Sequence, residues 1–409
     1  AVTAINAAHN ANSAVPAPQT LTGRNTGLDL PTIIGDFTGA TNIAVVDSSG
    51  NLQQQVAINF SAGTMSVNGG AATAFTPATF LTSLNTALGG AATASFSNGA
   101  LSLSATTAGQ GIAIQDDPTT PSQDGGEGFS QFFGLNDLIS SNEITNFNTG
   151  LQLSDANGFT PGGQIVLQLA NASGTPLSQV TVTVPPAGSP TMQDLLDALN
   201  SPTSGVGQYG AFSLNSDGAM TFTPTTPGAS VSVVTDTTQR GPGGPSISQL
   251  FGIGQAQQAS TATAYSIRSD IAANPMNMAL ATLNLPAAAA GEPVLSVGDG
   301  SGATALSNAA NAQLNFPAAG GMGAATTTVT QYAANLGGDL GQQSSAAQSA
   351  STAATTLQNE TQTQLQSVEG VNLDQQLVNL TTYQQAYSAS ARLIQASKDM
   401  IDTLLDMIT

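Results

Sequence analysis

Large apolar residues recur at a strict seven-residue interval toward the end of the chain: Leu373, Leu380, Tyr387, Ile394, Ile401 and Ile408. The positions four residues on from the first five carry Leu377, Gln384, Ala391, Lys398 and Leu405. A sustained seven-residue repeat is the pattern of a helix that packs along one seam. Ser, Asn, Gln, Thr and Asp fill most other positions between 370 and 409, so the seam asks for a partner helix rather than a core. Its expected packing face is Leu373, Leu377, Leu380, Tyr387, Ala391, Ile394, Ile401, Leu405 and Ile408. Isolated helices draw most of their stability from packing, and each large apolar side chain contributes about 1.5–3 kcal/mol when buried. The segment is therefore expected to order only against a neighbour. A second helical period precedes it, through Val329, Leu336, Leu340, Ala347, Ala354, Leu357 and Leu365, and reads as an antiparallel partner weakened at Gly337-Gly338.

A different pattern occupies residues 40–254, and it occurs twice. Ile43, Gly50, Val56, Ile58 and Phe60 align at one offset with Leu167, Gly174, Val180, Val182 and Val184. The helical trio Leu81, Leu84, Leu88 aligns with Met192, Leu195, Leu199. Gly99-Ala100-Leu101, Gly109, Ile112 and Ile114 align with Gly218-Ala219-Met220, Gly228, Val231 and Val233, and Phe133-Gly134-Leu135 with Phe251-Gly252-Ile253. Alternating apolar residues mark strands, Gly50 and Gly174 sit where hairpins turn, and the helices begin at Thr79 and Thr191. Each unit thus reads strand, turn, strand, helix, further strands and a short closing helix. The expected boundaries are 1–39 (helical remnant and connector), 40–138 (first α+β module), 139–161 (linker), 162–254 (second module), 255–325 (return segment) and 326–409 (helical rod).

Composition narrows the function classes. Charged residues are 7% of the 409, against about a quarter in average proteins, and 24 acidic against 5 basic residues give a net charge of −19. Five scattered cations assemble no basic patch, which argues against nucleic acid and against an anionic membrane surface as partners. Cysteine is absent, so neither a disulfide framework nor a thiolate metal site is available. No Lys/Arg-led apolar segment opens the chain, so no cleavable signal peptide is expected. The most apolar run, 278–291, is interrupted by Asn284 and Pro286. Ala1 stands where a Met would open a full chain, which reads as a partial one.

The terminal residues also carry a resemblance. Gly370-Val371-Asn372-Leu373-Asp374, Asn379-Leu380, Gln384-Gln385-Ala386-Tyr387, Ala389, Ala391, Ile394, Met400, Asp402 and Leu404-Leu405 resemble the C-terminal signature of bacterial flagellar axial proteins, and among them the hook-associated proteins of the hook–filament junction. Gln375-Gln376 and Thr381-Thr382 depart from the usual pattern, which puts individual polar contacts in question but not the seam. With the duplicated middle of the chain, the expected fold class is α+β: a long α-helical coiled-coil rod from the chain ends, with two similar β-rich modules inserted. The resemblance further implies an extracellular structural component of the flagellum that self-assembles. Its partners would be further copies of itself, hook protein, the next hook-associated protein leading to flagellin, and a flagellar export chaperone.

Candidate chemistry is sparse. Gly205, Gly207 and Gly210 form a G-x-G-x-x-G string, but it follows a predicted helix and precedes a strand, the reverse of a dinucleotide site. Asp116, Asp117, Asp124 and Glu127 cluster in a Pro- and Gly-rich loop without the spacing of a calcium loop, and read as a solvated loop. His9 is the lone histidine, and Asp194 and Asp197 share one helix turn, where they complement the helix dipole. No catalytic, metal or cofactor site emerges, and the expectation is a non-enzyme. Two alternatives stand beside the assembly role: a surface adhesin or carbohydrate-binding protein that uses the repeated modules, and a secreted hydrolase on a coiled-coil stalk.

Overall fold

The structure is a computed structural model that describes residues 2–407 apart from 187, 189, 286–288, 317, 319–321 and 371. The chain divides into two compact units, Ala1–Asn315 with Thr326–Thr330, and Phe316–Ala325 with Gln331–Thr409.

The first unit opens with α1 (Val2–Asn10), β1 (Thr20–Thr22) and α2 (Leu30–Asp36). The carboxylate of Asp29 caps α2 by accepting from the amide of Thr32. Next come β2 (Ala40–Asp47) and β3 (Leu52–Asn59), turned at Gly50 with φ 83°, then β4 (Thr64–Val67) and β5 (Thr73–Ala74). They lead to α3 (Phe80–Ala87), β6 (Ala92–Ser97), β7 (Ala100–Ala105), β8 (Gln110–Asp116) and α4 (Phe129–Phe133). A five-stranded sheet runs β5-β4-β3-β2-β8, and a smaller one β1-β7-β6.

A short β9 (Ile139–Ser140) precedes a second set of elements: β10 (Gln164–Ala170), β11 (Pro176–Thr183), α5 (Met192–Leu199), β12 (Gly210–Leu214), β13 (Met220–Pro224), β14 (Ser230–Asp236) and α6 (Ile247–Phe251). The two sets share element order and pairing. Ile43 at the centre of β2 faces Val56 and Ile114; Leu167 at the centre of β10 faces Val180 and Val233. Both closing helices end on a left-handed glycine, Gly134 with φ 64° and Gly252 with φ 63°. They differ in cover. Strand β4 lies on β3 and β1 on β7, whereas among the described residues β11 and β13 carry no further strand.

Apolar faces of both sets meet in one contiguous core that includes Ile43, Leu84, Phe133, Leu167, Leu195 and Phe251. The segment expected as a linker joins it through Leu151 and Phe159. The opposite face of the β3-β2-β8 sheet is covered too: Ala44, Val46, Leu52 and Ala113 pack with Ala281, Leu283, Val294 and Leu295 from the return segment. Burial on both faces explains why β2 reads as a nearly continuous apolar run rather than an alternating one. After α6 the chain forms α7 (Gln255–Thr263), β15 (Ser266–Ile267), which pairs with β9, then α8 (Ser269–Ala273) and α9 (Ser301–Asn311).

The second unit is dominated by α10 (Val329–Glu369) and α11 (Leu373–Asp406). Asn372 caps α11 by accepting from the amides of Asp374 and Gln375.

Candidate interaction surface

The expected packing face lies on α11, apart from Ile408, which falls outside the described residues. Leu373, Leu377, Leu380, Tyr387, Ala391, Ile394, Ile401 and Leu405 are all exposed. The structure shows the helix formed, with this face uncovered among the described residues. Ala, Leu, Gln and Met favour the helical backbone, and the Asn372 cap satisfies two first-turn amides. The antiparallel pairing expected of α10 is not seen, since Leu336, Leu340, Leu357 and Leu365 also remain exposed. Between Leu340 and Leu357 this helix offers only Ala and Thr as apolar surface, too little to hold a partner seam.

The exposed face is wider than the seven-residue repeat indicated. Leu393, Met400 and Met407 immediately precede seam positions, and Tyr383 and Leu404 lie three residues past them; all five are exposed. Toward its end α11 therefore shows apolar surface on several sides. A narrow seam suits one neighbour, while a broad one suits two or more.

The other candidate residues have local roles. Among the described residues no group of three or more His, Asp or Glu is arranged to hold a metal ion. Asp117 bonds the amides of Thr119 and Thr120, Asp116 accepts from the Ser122 hydroxyl, and Glu127 pairs with Arg24 at 2.8 Å. Asp194 closes a capping box with Thr191, and Asp197 accepts from Gln193. The glycine string forms the connection between α5 and β12, and a Cβ at Gly205 would lie 2.2 Å from the Leu199 carbonyl oxygen.

Asp124 is buried against Gly150, and its Oδ2 has no hydrogen-bond partner. Burial, with Asp36 nearby, pushes its carboxyl up to about 8. Burial, with Asp155 beside it, pushes that of Asp36 up to about 7.

His9 has a structural part. Its Nε2 accepts from the amide of Ala279 at 2.9 Å, so the proton sits on Nδ1, which donates to the Asn136 carbonyl at 2.5 Å. Burial holds its pKa below the usual histidine value. Beside it, Asn10 Oδ1 accepts from the Ser130 hydroxyl and the Asn136 amide, and Asn6 Oδ1 from the amides of Leu138 and Ile139. These buried amides clamp α1 to the loop after α4, a contact no periodicity announced.

Comparison with known proteins bears on the C-terminal helix. Residues 364–407 match the family described as flagellar basal body rod FlgEFG protein C-terminal. A stretch of 74 residues is 38% identical to flagellar hook-associated protein 1 of Salmonella typhimurium, and likewise to that of Salmonella typhi. It covers 18% of this chain and 13% of the length of those relatives. These matches support a structural protein of the flagellar hook and rod kind, associated with other flagellar components. No helix among the described residues is long and apolar enough to cross a membrane.

Proposed function

We propose that the chain is a hook-associated adaptor of the bacterial flagellum, which joins hook to filament by self-assembly through its terminal helices. The observation that carries this reading is the broad exposed apolar face of α11, on the stretch that matches the flagellar basal body rod family. In the assembly each α11 lies against the helices of neighbouring copies, which bury the side chains left open in the single chain. The rod from the helical chain ends is the shared element, and the two α+β modules are insertions in it. Hook protein and the next hook-associated protein, leading to flagellin, flank the layer. An export chaperone holds α11 before the protein leaves the cell. A shortened chain lacking residues 371–409 is expected to stay monomeric in sedimentation and to leave hooks without filaments. Filament growth on hooks completed by that chain sinks the reading.

A groove that sets amide and carboxylate side chains beside Pro118, Leu283 and Leu285 favours one second reading, binding of a carbohydrate. Asn42, Gln55, Gln115, Asp117, Asn284 and Asp299 line an open cavity of about 720 Å³, a size that admits a small saccharide. Glycan-array binding retained without α10 and α11 would move the function to the first unit.

A further inference from the structure

The two α+β modules share an element order, but the strand that completes the first is not in place in the second. In the first module β1 lies along β7. Leu21 pairs with Leu103 and is 3% exposed. The amides of Gly23 and Ala105 donate to the carbonyls of Leu101 and Gln19, both at 2.8 Å. Thr20 and Thr22 meet the hydroxyls of Ser104 and Ser102 at 2.8 and 3.2 Å.

The stretch that follows β1 recurs ahead of the second module. Asn25-Thr26-Gly27-Leu28 returns as Asn148-Thr149-Gly150-Leu151. The hydroxyls of Thr26 and Thr149 donate to the carbonyls of Gly99 and Gly218, both at 2.8 Å, and Gly27 and Gly150 have φ of 73° and 75°. Arg24 packs against Gly134 as Phe147 packs against Gly252. At the same offset Glu143-Ile144-Thr145 stands for Thr20-Leu21-Thr22. Yet residues 141–150 form no strand, and among the described residues β13 pairs only with β12. Met220, Phe222 and Val231 take the places of Leu101, Leu103 and Ile112, and line an open cavity of about 330 Å³.

Ile144 is buried elsewhere. Its Cδ1, the Leu250 Cδ1 and the Pro245 Cγ converge on Gly27, where a Cβ would lie 2.9, 2.9 and 3.0 Å from them. The side chain thus wedges between the stretch that enters the first module and α6 of the second. The amide of Asn146 holds the neighbouring backbone by donating to Glu127 at 2.9 Å.

We propose that residues 143–145 form a strap with two seats, the wedge seen here and a closed position in which they add to β13 as β1 adds to β7. On closing, Ile144 leaves Gly27 and enters the slot beside Phe222, and the Thr145 hydroxyl meets Thr221. Filling the cleft and wedging the modules then exclude one another. The closed seat is weaker than that of β1: Pro224 stands where Ala105 donates, and Glu143 where Thr20 meets a hydroxyl. That deficit leaves the strap poised rather than fixed. The inference rests on the correspondence of the two modules and not on the flagellar reading.

The test uses the full chain, which has no cysteine of its own. Thr145→Cys with Thr221→Cys marks the closed register, and Thr22→Cys with Ser102→Cys, a pair facing each other in the first module, is the control. A disulfide needs Cα atoms within about 7 Å, so under mild oxidant the 145–221 pair should close, read by the mass of the linked peptides. Its rate follows the fraction of time spent closed, and should drop at least about tenfold when Thr223→Cys replaces Thr221→Cys or when Val231→Phe fills the slot. The comparison of the two registers does not depend on how the Val231→Phe chain folds. Failure of the 145–221 pair to close while the control closes, equal rates in the two registers, or indifference to Val231→Phe overturns the proposal.

Discussion

In the first unit Leu84, Phe133 and Ile165 are fully buried, while in α11 Leu373, Tyr387 and Ile394 are 80%, 78% and 71% exposed. Both regions are built from the same kinds of side chain. The first satisfies its apolar surface by folding on itself, and the helix leaves that satisfaction to whatever lies alongside it. Stability should therefore be decided in the first unit and association in α11.

The largest effect that can break this contrast comes from exchanging the two consequences. Phe133→Ala removes a ring that touches Phe37, Phe129 and Phe132, and is expected to destabilise the monomer by about 3–5 kcal/mol. The pair Ile394→Asp and Ile401→Asp is expected to leave the monomer's melting temperature unchanged and to abolish assembly in sedimentation. If the aspartates lower the melting temperature as far as Phe133→Ala does, the isoleucines already serve a fold of their own and the contrast fails.

A smaller, pH-dependent effect sharpens the same contrast, because the groups that titrate abnormally lie in the first unit. Asp36 and Asp124 hold their protons in the native state up to about 7 and about 8, while in the unfolded chain they ionise near the ordinary carboxylate value. Over that interval the native state binds more protons, so stability falls as pH rises. His9 acts oppositely: burial lowers its pKa, the unfolded chain takes up the proton first, and stability falls as pH drops below about 6.5. Between about pH 6.5 and 8 the unfolded chain's histidine gives up the rest of its proton while the carboxyls still hold theirs in the native state, so the carboxyls dominate. The melting temperature should decline across this window. Asp124→Asn should remove a part of the decline on the order of 1–2 kcal/mol, and an unchanged slope in that variant contradicts the assignment.

These differences also show what a linear sequence exposes. Strand β11 is visible in the alternation through Val180 and Val182, and α5 in Thr191 followed by apolar residues three and four apart. The seven-residue period locates α11, because local repetition is what a long helix leaves in a sequence. The clamp made by Asn6, His9 and Asn10 has no period, since each residue bonds a partner more than a hundred positions away. The same holds for Asp36, Asp124 and Asp155, which only the tertiary fold gathers. Leu151 and Phe159 sit in polar, glycine-containing surroundings that read as a linker, yet each anchors the core. The acidic loop shows the converse: Asp116, Asp117, Asp124 and Glu127 are close in sequence, but their side chains turn to different partners.

The smallest expected effect concerns the start of α11 and tests whether the helix is as independent as its exposure implies. Asn372 Oδ1 accepts from the amides of Asp374 and Gln375 at 3.0 and 3.2 Å, two of the four donors that an α-helix leaves unsatisfied at its first turn. Asn372→Ala is expected to cost about 0.5–2 kcal/mol of local helix stability. None of the described residues of this helix is buried, so nothing transmits that loss to a core. Amide exchange at 374–378 should then quicken by up to roughly tenfold per 1.4 kcal/mol, with the melting of the first unit unmoved. A shift in that melting, or faster exchange near Met400, would mean that α11 behaves as one cooperative body with something else in the monomer, and its apolar face would not be free for a neighbouring copy.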